Sequence, residues 1–108
     1  MIAINQIEEF TKELNFEQFV ANKLCLYAVV YHIQIIGEAT YKLTKEYRAK
    51  HSNMPWKMME GMRHVLVHDY YNIKPQIVWG VVKKDIPSIK PLLQHLLNES
   101  QNQTEEPA

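Results

Sequence analysis

The sequence predicts an all-α bundle of about four to five helices. Only three glycines occur, no run alternates between apolar and polar residues as a strand would, and apolar residues recur at helical spacing. A chain of 108 residues can bury one fairly small core, so we expect a single domain over residues 1–97. Residues 98–108 are polar and lack an apolar period, which predicts a flexible tail.

The first half of the chain predicts three helices. One helix is expected from about Ile2 to Leu14. Asn15 can cap a short second helix, and Gln18 stands where it would complete a capping box. A long helix is expected from about Lys23 to Arg48, with one continuous apolar stripe. Between Leu24 and Ile36 the other faces of this helix are apolar too, so we expect it to be covered on more than one side.

Prolines divide the second half of the chain. Pro55 suits the first turn of a helix that we expect to run to about His68, with Trp56 and three other apolar side chains facing inward. Pro75 begins a further helix. Pro87 should kink or break it before a last amphipathic piece from Ile89 to Leu97.

Composition narrows the class of protein. The single cysteine, Cys25, excludes a disulfide framework and a cysteine-based zinc site, and it fits a reducing compartment. The longest apolar run, Leu24 to Tyr31, is too short to cross a bilayer, and Glu8 and Glu9 lie where a signal peptide would be apolar. We therefore expect a cytoplasmic protein without a membrane partner.

The densest group of polar side chains is the segment Arg63-His64-Val65-Leu66-Val67-His68-Asp69-Tyr70-Tyr71. Arginine supplies a planar donor fork for phosphate, and histidine can exchange a proton near neutral pH. Together they suit cleavage of a phosphodiester without a metal ion. In an ideal helix Arg63 and His68 would lie roughly 140° apart, so a joint site requires the helix to end or distort, or a second chain to complete it.

Simpler interpretations of the same residues stay open at this point. Arg63 could pair with Glu60, and His68 could favour a helix C-terminus electrostatically. His64 and His68 have the spacing of two metal ligands, but no third ligand is convincingly placed, so we expect no metal. Glu38 could be a partner of Arg63 or a residue at the boundary of the apolar stripe. The methionines between residues 54 and 62 could fill the core or form a subunit interface.

Four groups of residues, taken in order over about residues 2–97, resemble the HepT-like branch of the HEPN superfamily. They are Ile35-Ile36-Gly37-Glu38-Ala39, Pro55-Trp56, Gly61-Met62-Arg63-His64 with His68-Asp69-Tyr70, and Ile77-Val78-Trp79. The resemblance implies a HEPN-like all-α homodimer that acts as a metal-independent ribonuclease toxin, without a cofactor. It also implies two partners, an RNA substrate and a nucleotidyltransferase antitoxin of the MntA type.

The resemblance assigns roles to residues at matching positions. Arg63 and His68 match the catalytic pair, and Tyr70 matches the tyrosine that the antitoxin modifies with AMP. His64 occupies the polar position after the arginine, and we group it with Asp69 and Glu38 as supporting residues. The alternative function is a non-catalytic helical module that binds a nucleotidyltransferase or its nucleotide substrate.

Overall fold

The structure is a computed structural model that describes residues 1–63 and 73–105, with side chains described up to residue 99. In these ranges it is helical and contains no β-strand, which confirms the predicted all-α class. In chain order the helices are α1 (Ile2–Thr11), α2 (Phe16–Ala21), α3 (Lys23–Tyr41), α4 (Lys45–Lys50), α5 (Trp56–Gly61), α6 (Pro75–Gly80) and α7 (Ile86–Glu105).

The second helix begins as the sequence predicts. The side chain of Asn15 accepts a hydrogen bond from the backbone N–H of Gln18 at 2.8 Å. The Gln18 side chain in turn accepts from the backbone N–H of Asn15 at 3.0 Å. This reciprocal pair is the predicted capping box, and it satisfies two backbone donors that a helix start would otherwise leave without partners.

The predicted long helix is two helices, so the expectation of one helix from Lys23 to Arg48 is wrong. α3 ends at Tyr41, and Thr44 caps α4 by accepting a hydrogen bond from the backbone N–H of Tyr47 at 3.1 Å. The break lets Arg48 reach back, and its Nη2 donates to the carbonyl of Thr40 at 2.6 Å. In one continuous helix these two residues would lie about 12 Å apart along the axis, because each residue adds about 1.5 Å.

The later helices also depart from the predicted boundaries. α5 begins at Trp56 but ends at Gly61, short of the predicted end at His68. Pro87 does not break the helix that begins at Pro75, but the helical winding is distorted just before it, where a π-helical turn, Val81–Asp85, joins α6 to α7. Its wider winding adds a residue to the turn just before Pro87, which makes room for a ring without an N–H. α7 continues to Glu105, past Leu97, where the apolar pattern ends.

The long helix α3 lies at the centre of the core and packs against α1, α2, α5 and α6. An ion pair between Lys90 and Glu8 joins α7 to α1. The buried apolar side chains of α3 are Leu26, Val29, Val30, Ile33 and Ile36. Met54, Met59 and Met62 are buried as well, so these methionines fill the core.

Candidate active site

Arg63 is the first candidate residue along the chain after α5, and its backbone is held close to that helix. The backbone N–H of Met62 donates to the carbonyl of Met59 at 3.2 Å, and that of Arg63 donates to the carbonyl of Glu60 at 3.1 Å. The side chain of Met62 is only 2% exposed. The buried Met62 and these two backbone hydrogen bonds therefore fix the position of the Arg63 backbone at the edge of the core.

A glycine on α3 lets the backbone of Arg63 lie directly against that helix. A Cβ atom at Gly37 would be 2.5 Å from the backbone nitrogen of Arg63 and 2.8 Å from its Cα. Real Cβ atoms essentially never make contacts this short, so a side chain at position 37 would push Arg63 away. Gly37 is thus required for the close approach of the two segments.

Two other side chains of α3 contact the guanidinium of Arg63. Its Nε lies 3.3 Å from Oε1 of Glu38 in an ion pair. Its Cζ lies 3.9 Å from the centre of the Tyr41 ring, the geometry of a cation–π contact. The side chain of Arg63 is 26% exposed, so it lies at the surface while both contacts restrict its orientation. An ion pair through Nε allows an anion to approach the outer edge of the guanidinium, where the two terminal nitrogens can donate in parallel.

The pairing of Arg63 with Glu60, one of the alternatives that the sequence left open, is not what the structure contains. Glu60 instead pairs with Arg48, whose Nη1 lies 2.9 Å from Oε2 of Glu60. For Glu38, the structure contains the ion pair with Arg63, the first of the two alternatives. The carboxylate is therefore adjacent to the candidate phosphate-binding group.

The remaining site residues predicted from the sequence, His64, His68, Asp69 and Tyr70, lie outside the described residues. The angle between Arg63 and His68 that the sequence predicts therefore stays a prediction. Arg63 and Glu38 are thus the two predicted site residues that the structure brings together.

The surface of α3 beside Glu38 forms a shallow depression of about 460 Å³. Tyr31, Gln34, Ile35 and Lys42 line it together with Glu38 and Ala39. Lys42 and Arg63 thus supply positive charge near Glu38, where a phosphate-bearing ligand would find donors of two kinds.

Sequence reasoning missed Gly37 and Tyr41 as parts of this site. Gly37 was part of a recognised motif, but its use becomes visible only when Arg63 is seen against it. Tyr41 follows Gly37 by four residues and so lies near the same side of α3. This spacing, an aromatic residue one turn after the glycine of the motif, is the sequence signal that could have placed Tyr41 on the side of α3 where Arg63 lies.

The described residues were also compared with three other kinds of functional feature: a reactive thiol, a metal site and a membrane-spanning helix. Burial raises the pKa of the Cys25 thiol, which makes it a poor nucleophile. Over residues 1–63 and 73–99, no three His, Cys, Asp or Glu side chains lie close enough to hold a metal ion. None of the described helices combines the length and the apolar character that crossing a membrane requires.

The described part of the chain is thus an all-α bundle that holds an arginine at its surface, between a carboxylate and an aromatic ring. The chain belongs to the HepT-like ribonuclease family, whose model it matches over residues 2–96. No solved structure matches the chain.

Named relatives support the same family. The chain is 42% identical over 86 residues to "Putative RNase MJ1380" of Methanocaldococcus jannaschii, which covers 80% of this chain and 79% of the relative. It is 41% identical over 88 residues to "Probable ribonuclease HepT" of Thermococcus cleftensis, covering 82% and 80%. A third relative, "Putative RNase TTE0752" of Caldanaerobacter subterraneus, is 38% identical over 91 residues, covering 84% and 81%.

Proposed function

We propose that this chain is a metal-independent endoribonuclease and the toxin of a toxin–antitoxin pair. Membership of the HepT-like ribonuclease family supports the reaction class. The observation that carries the proposal is that Glu38 and Tyr41 hold the Arg63 guanidinium at the surface. An ion pair through Nε allows the two terminal nitrogens to donate to a phosphate. RNA is the substrate, and no cofactor takes part.

The proposed reaction uses the RNA's own 2′-hydroxyl as the nucleophile. Its oxygen attacks the adjacent phosphorus, its proton passes to a base, and the bond from phosphorus to the 5′-oxygen breaks as that oxygen takes up a proton. The products are a 2′,3′-cyclic phosphate and a 5′-hydroxyl end. His68 acts as the general base or acid, and Arg63 stabilises the charge that develops on the phosphoryl oxygens. His64 and Asp69 support these two residues.

The proposed enzyme is a homodimer, and an exposed apolar face of α3 supports this. Leu24 is 85% exposed and Tyr31 is 60% exposed, although both lie on the central helix of the core. Tyr27 and Ile35 continue the same face toward Glu38. Pairing of two chains through this face would place each Arg63 beside the partner chain and complete two clefts.

The proposed antitoxin is a nucleotidyltransferase of the MntA type that transfers AMP to the hydroxyl of Tyr70. In the first transfer the tyrosine oxygen would lose its proton and attack the α-phosphorus of ATP, and pyrophosphate would leave. A further AMP would be accepted in the same way by a hydroxyl of the AMP already attached. The added phosphate would lie two residues from His68 in sequence and close to the phosphate-binding Arg63. The adduct would therefore compete with the RNA phosphate and also block its approach.

Cleavage of a short single-stranded RNA by the purified chain tests the catalytic proposal. We expect a 2′,3′-cyclic phosphate end and full activity in EDTA. Arg63→Ala should lower the rate about 10²–10³-fold, because it removes a charge-stabilising donor. His68→Ala should lower it about 10²–10⁴-fold, because it removes proton transfer.

Lys57→Ala, at an exposed residue of α5, is the control for loss of one positive charge, and it should leave the rate unchanged. Equal cleavage by wild type and folded His68→Ala protein, or loss of activity on chelation, would contradict the proposal. A wild-type chain that binds a nucleotidyltransferase and cleaves no RNA would favour the non-catalytic module.

Modification of Tyr70 is tested by intact-mass spectrometry after incubation with the cognate nucleotidyltransferase and ATP. We expect one or more AMP-sized additions on wild type, together with loss of RNA cleavage. Tyr70→Phe should keep much of its cleavage activity but should gain no mass, and Tyr71 should not replace it. The same mass gain on Tyr70→Phe would identify a different acceptor residue.

A further inference from the structure

Three residues near the end of α3 contact Arg63. Gly37 admits its backbone, Glu38 pairs with its Nε, and Tyr41 lies against its guanidinium. These three residues fall within five consecutive positions, so their relative placement depends on the helix alone. Within the described residues, α3 therefore supplies the contacts that orient the Arg63 guanidinium.

The end of α3 is itself held by one hydrogen bond from outside the helix and one within it. The carbonyl of Thr40, one residue before Tyr41, accepts a hydrogen bond from Nη2 of Arg48 at 2.6 Å. The hydroxyl of Thr40 is buried and donates to the carbonyl of Ile36 at 2.8 Å. The helical turn that carries Tyr41 is thus hydrogen-bonded to α4, which fixes the backbone from which the ring projects.

We propose that Tyr41 is a positioning residue for RNA cleavage, a role that rests on the function proposed above. Its ring fixes the plane of the Arg63 guanidinium, so that the two terminal nitrogens meet two phosphoryl oxygens at once. Glu38 alone does not define that plane, because a single contact at Nε allows the group to rotate. The ring supplies the second constraint, and the cation stays attracted to its face while the outer edge engages the phosphate.

The ring, not the hydroxyl, performs this role. Tyr41→Phe keeps the aromatic face and should retain most of the wild-type kcat. Tyr41→Leu keeps apolar bulk but removes the face, and it should lower kcat about 2- to 30-fold, the range that a cation–π contact supports.

A double-mutant cycle with Arg63→Lys separates positioning from a general loss of stability. The lysine ammonium has no plane to orient. Tyr41→Leu should therefore cost far less in the Arg63→Lys background than in wild type, whereas a fall in the folded fraction would lower kcat equally in both. The matched control is the other cation–π pair, in which Nζ of Lys83 lies 4.7 Å from the Trp79 ring centre. Lys83→Met should leave kcat unchanged.

A measurement that needs no catalysis accompanies the kinetics. The ring current of Tyr41 should shift the side-chain proton resonances of Arg63 upfield in NMR spectra of the intact protein. The shift should persist in Tyr41→Phe and vanish in Tyr41→Leu. If wild type cleaves RNA and Tyr41→Leu cleaves equally fast, or loses equally in both backgrounds, the positioning role is wrong while the ribonuclease proposal stands. If wild type shows the ring-current shift but cleaves no RNA, the proposed function is wrong and the positioning role falls with it.

Discussion

At the scale of single residues, the position of Arg63 depends on the lack of a Cβ atom at Gly37. The missing Cβ of Gly37 leaves the space in which the Arg63 backbone lies, and that space is bounded by main-chain atoms. Main-chain atoms cannot rotate away as a flexible side chain can. The site therefore tolerates less change at position 37 than at the exposed side chains around it.

Gly37→Ala is expected to lower both stability and RNA cleavage. The new methyl group would lie 2.5 Å from the Arg63 backbone nitrogen, so the two segments must separate. Overpacking of this kind costs about 1–3 kcal/mol, which exceeds the roughly 1 kcal/mol that alanine gains over glycine in a helix. Urea unfolding and the cleavage rate measure the two effects.

Gly80→Ala is the matched control, because this glycine is also helical and nothing in the described structure lies within 4 Å of its added Cβ. It should raise the free energy of unfolding by up to about 1 kcal/mol and leave cleavage unchanged. A Gly37→Ala protein that behaves like this control would show that Arg63 does not need its close contact with α3.

At the scale of the helices, Arg48 joins three of them. It lies on α4, its Nη2 binds the carbonyl of Thr40 in α3, and its Nη1 binds Glu60 in α5. Its own carbonyl accepts a hydrogen bond from Nε1 of the buried Trp56 at 3.2 Å. The same residue thus secures the turn of α3 below Tyr41 and the helix that leads into Arg63.

Arg48→Ala should lower the free energy of unfolding by about 1–3 kcal/mol, because it leaves the Thr40 carbonyl and the Glu60 carboxylate without this partner. Thermal and urea unfolding test this. The comparison is Lys12→Ala, which breaks an ion pair with Glu9 whose side chains are 57% and 65% exposed. That change should fall within about 0.5 kcal/mol of wild type. Similar values for the two variants would contradict a structural role for Arg48.

At the scale of the whole molecule, the central helix is also a surface helix. α3 buries one face and leaves the opposite face, with Leu24, Tyr27 and Tyr31, open to solvent, so within one chain it is not covered on more than one side as the sequence predicted. The sequence argument for a dimer rested partly on the methionines, but Met54, Met59 and Met62 are buried within one chain. The exposed face of α3 is therefore the feature that supports assembly, and it runs directly to Glu38 and Tyr41.

Leu24→Glu should convert the proposed dimer to a monomer and lower RNA cleavage, because a charge would be buried in an interface on the order of 1,600 Å². Light scattering after size exclusion measures the mass. Ile77→Glu, at an apolar residue that is 48% exposed on α6, should keep the dimer. A wild-type chain that is monomeric at micromolar concentration would rule out the proposed assembly.

Local patterns in the sequence were enough to predict the helical class and several helix ends. The capping box of Asn15 and Gln18 and the start of α5 after Pro55 follow from side chains that act on neighbouring backbone groups. The inward positions of Trp56, Met59 and Met62 follow from helical spacing, and all three are buried. Such features depend only on residues within one or two helical turns, so a short stretch of sequence is enough to predict them.

Contacts that the helical periodicity of the sequence does not record decided the rest. The break after Tyr41 looks like continuous helix in the sequence, because the apolar stripe runs through it, yet Thr44 and the bond from Arg48 to Thr40 end α3 there. The sequence predicted Arg63 and Glu38 as site residues, but it left Glu60 as an equal partner for Arg63. Only the fold shows that Arg48 takes Glu60, that Gly37 admits the Arg63 backbone and that Tyr41 supports its guanidinium. Packing brings these groups together across long stretches of chain, and no periodicity within one helix records which distant residue will lie against it.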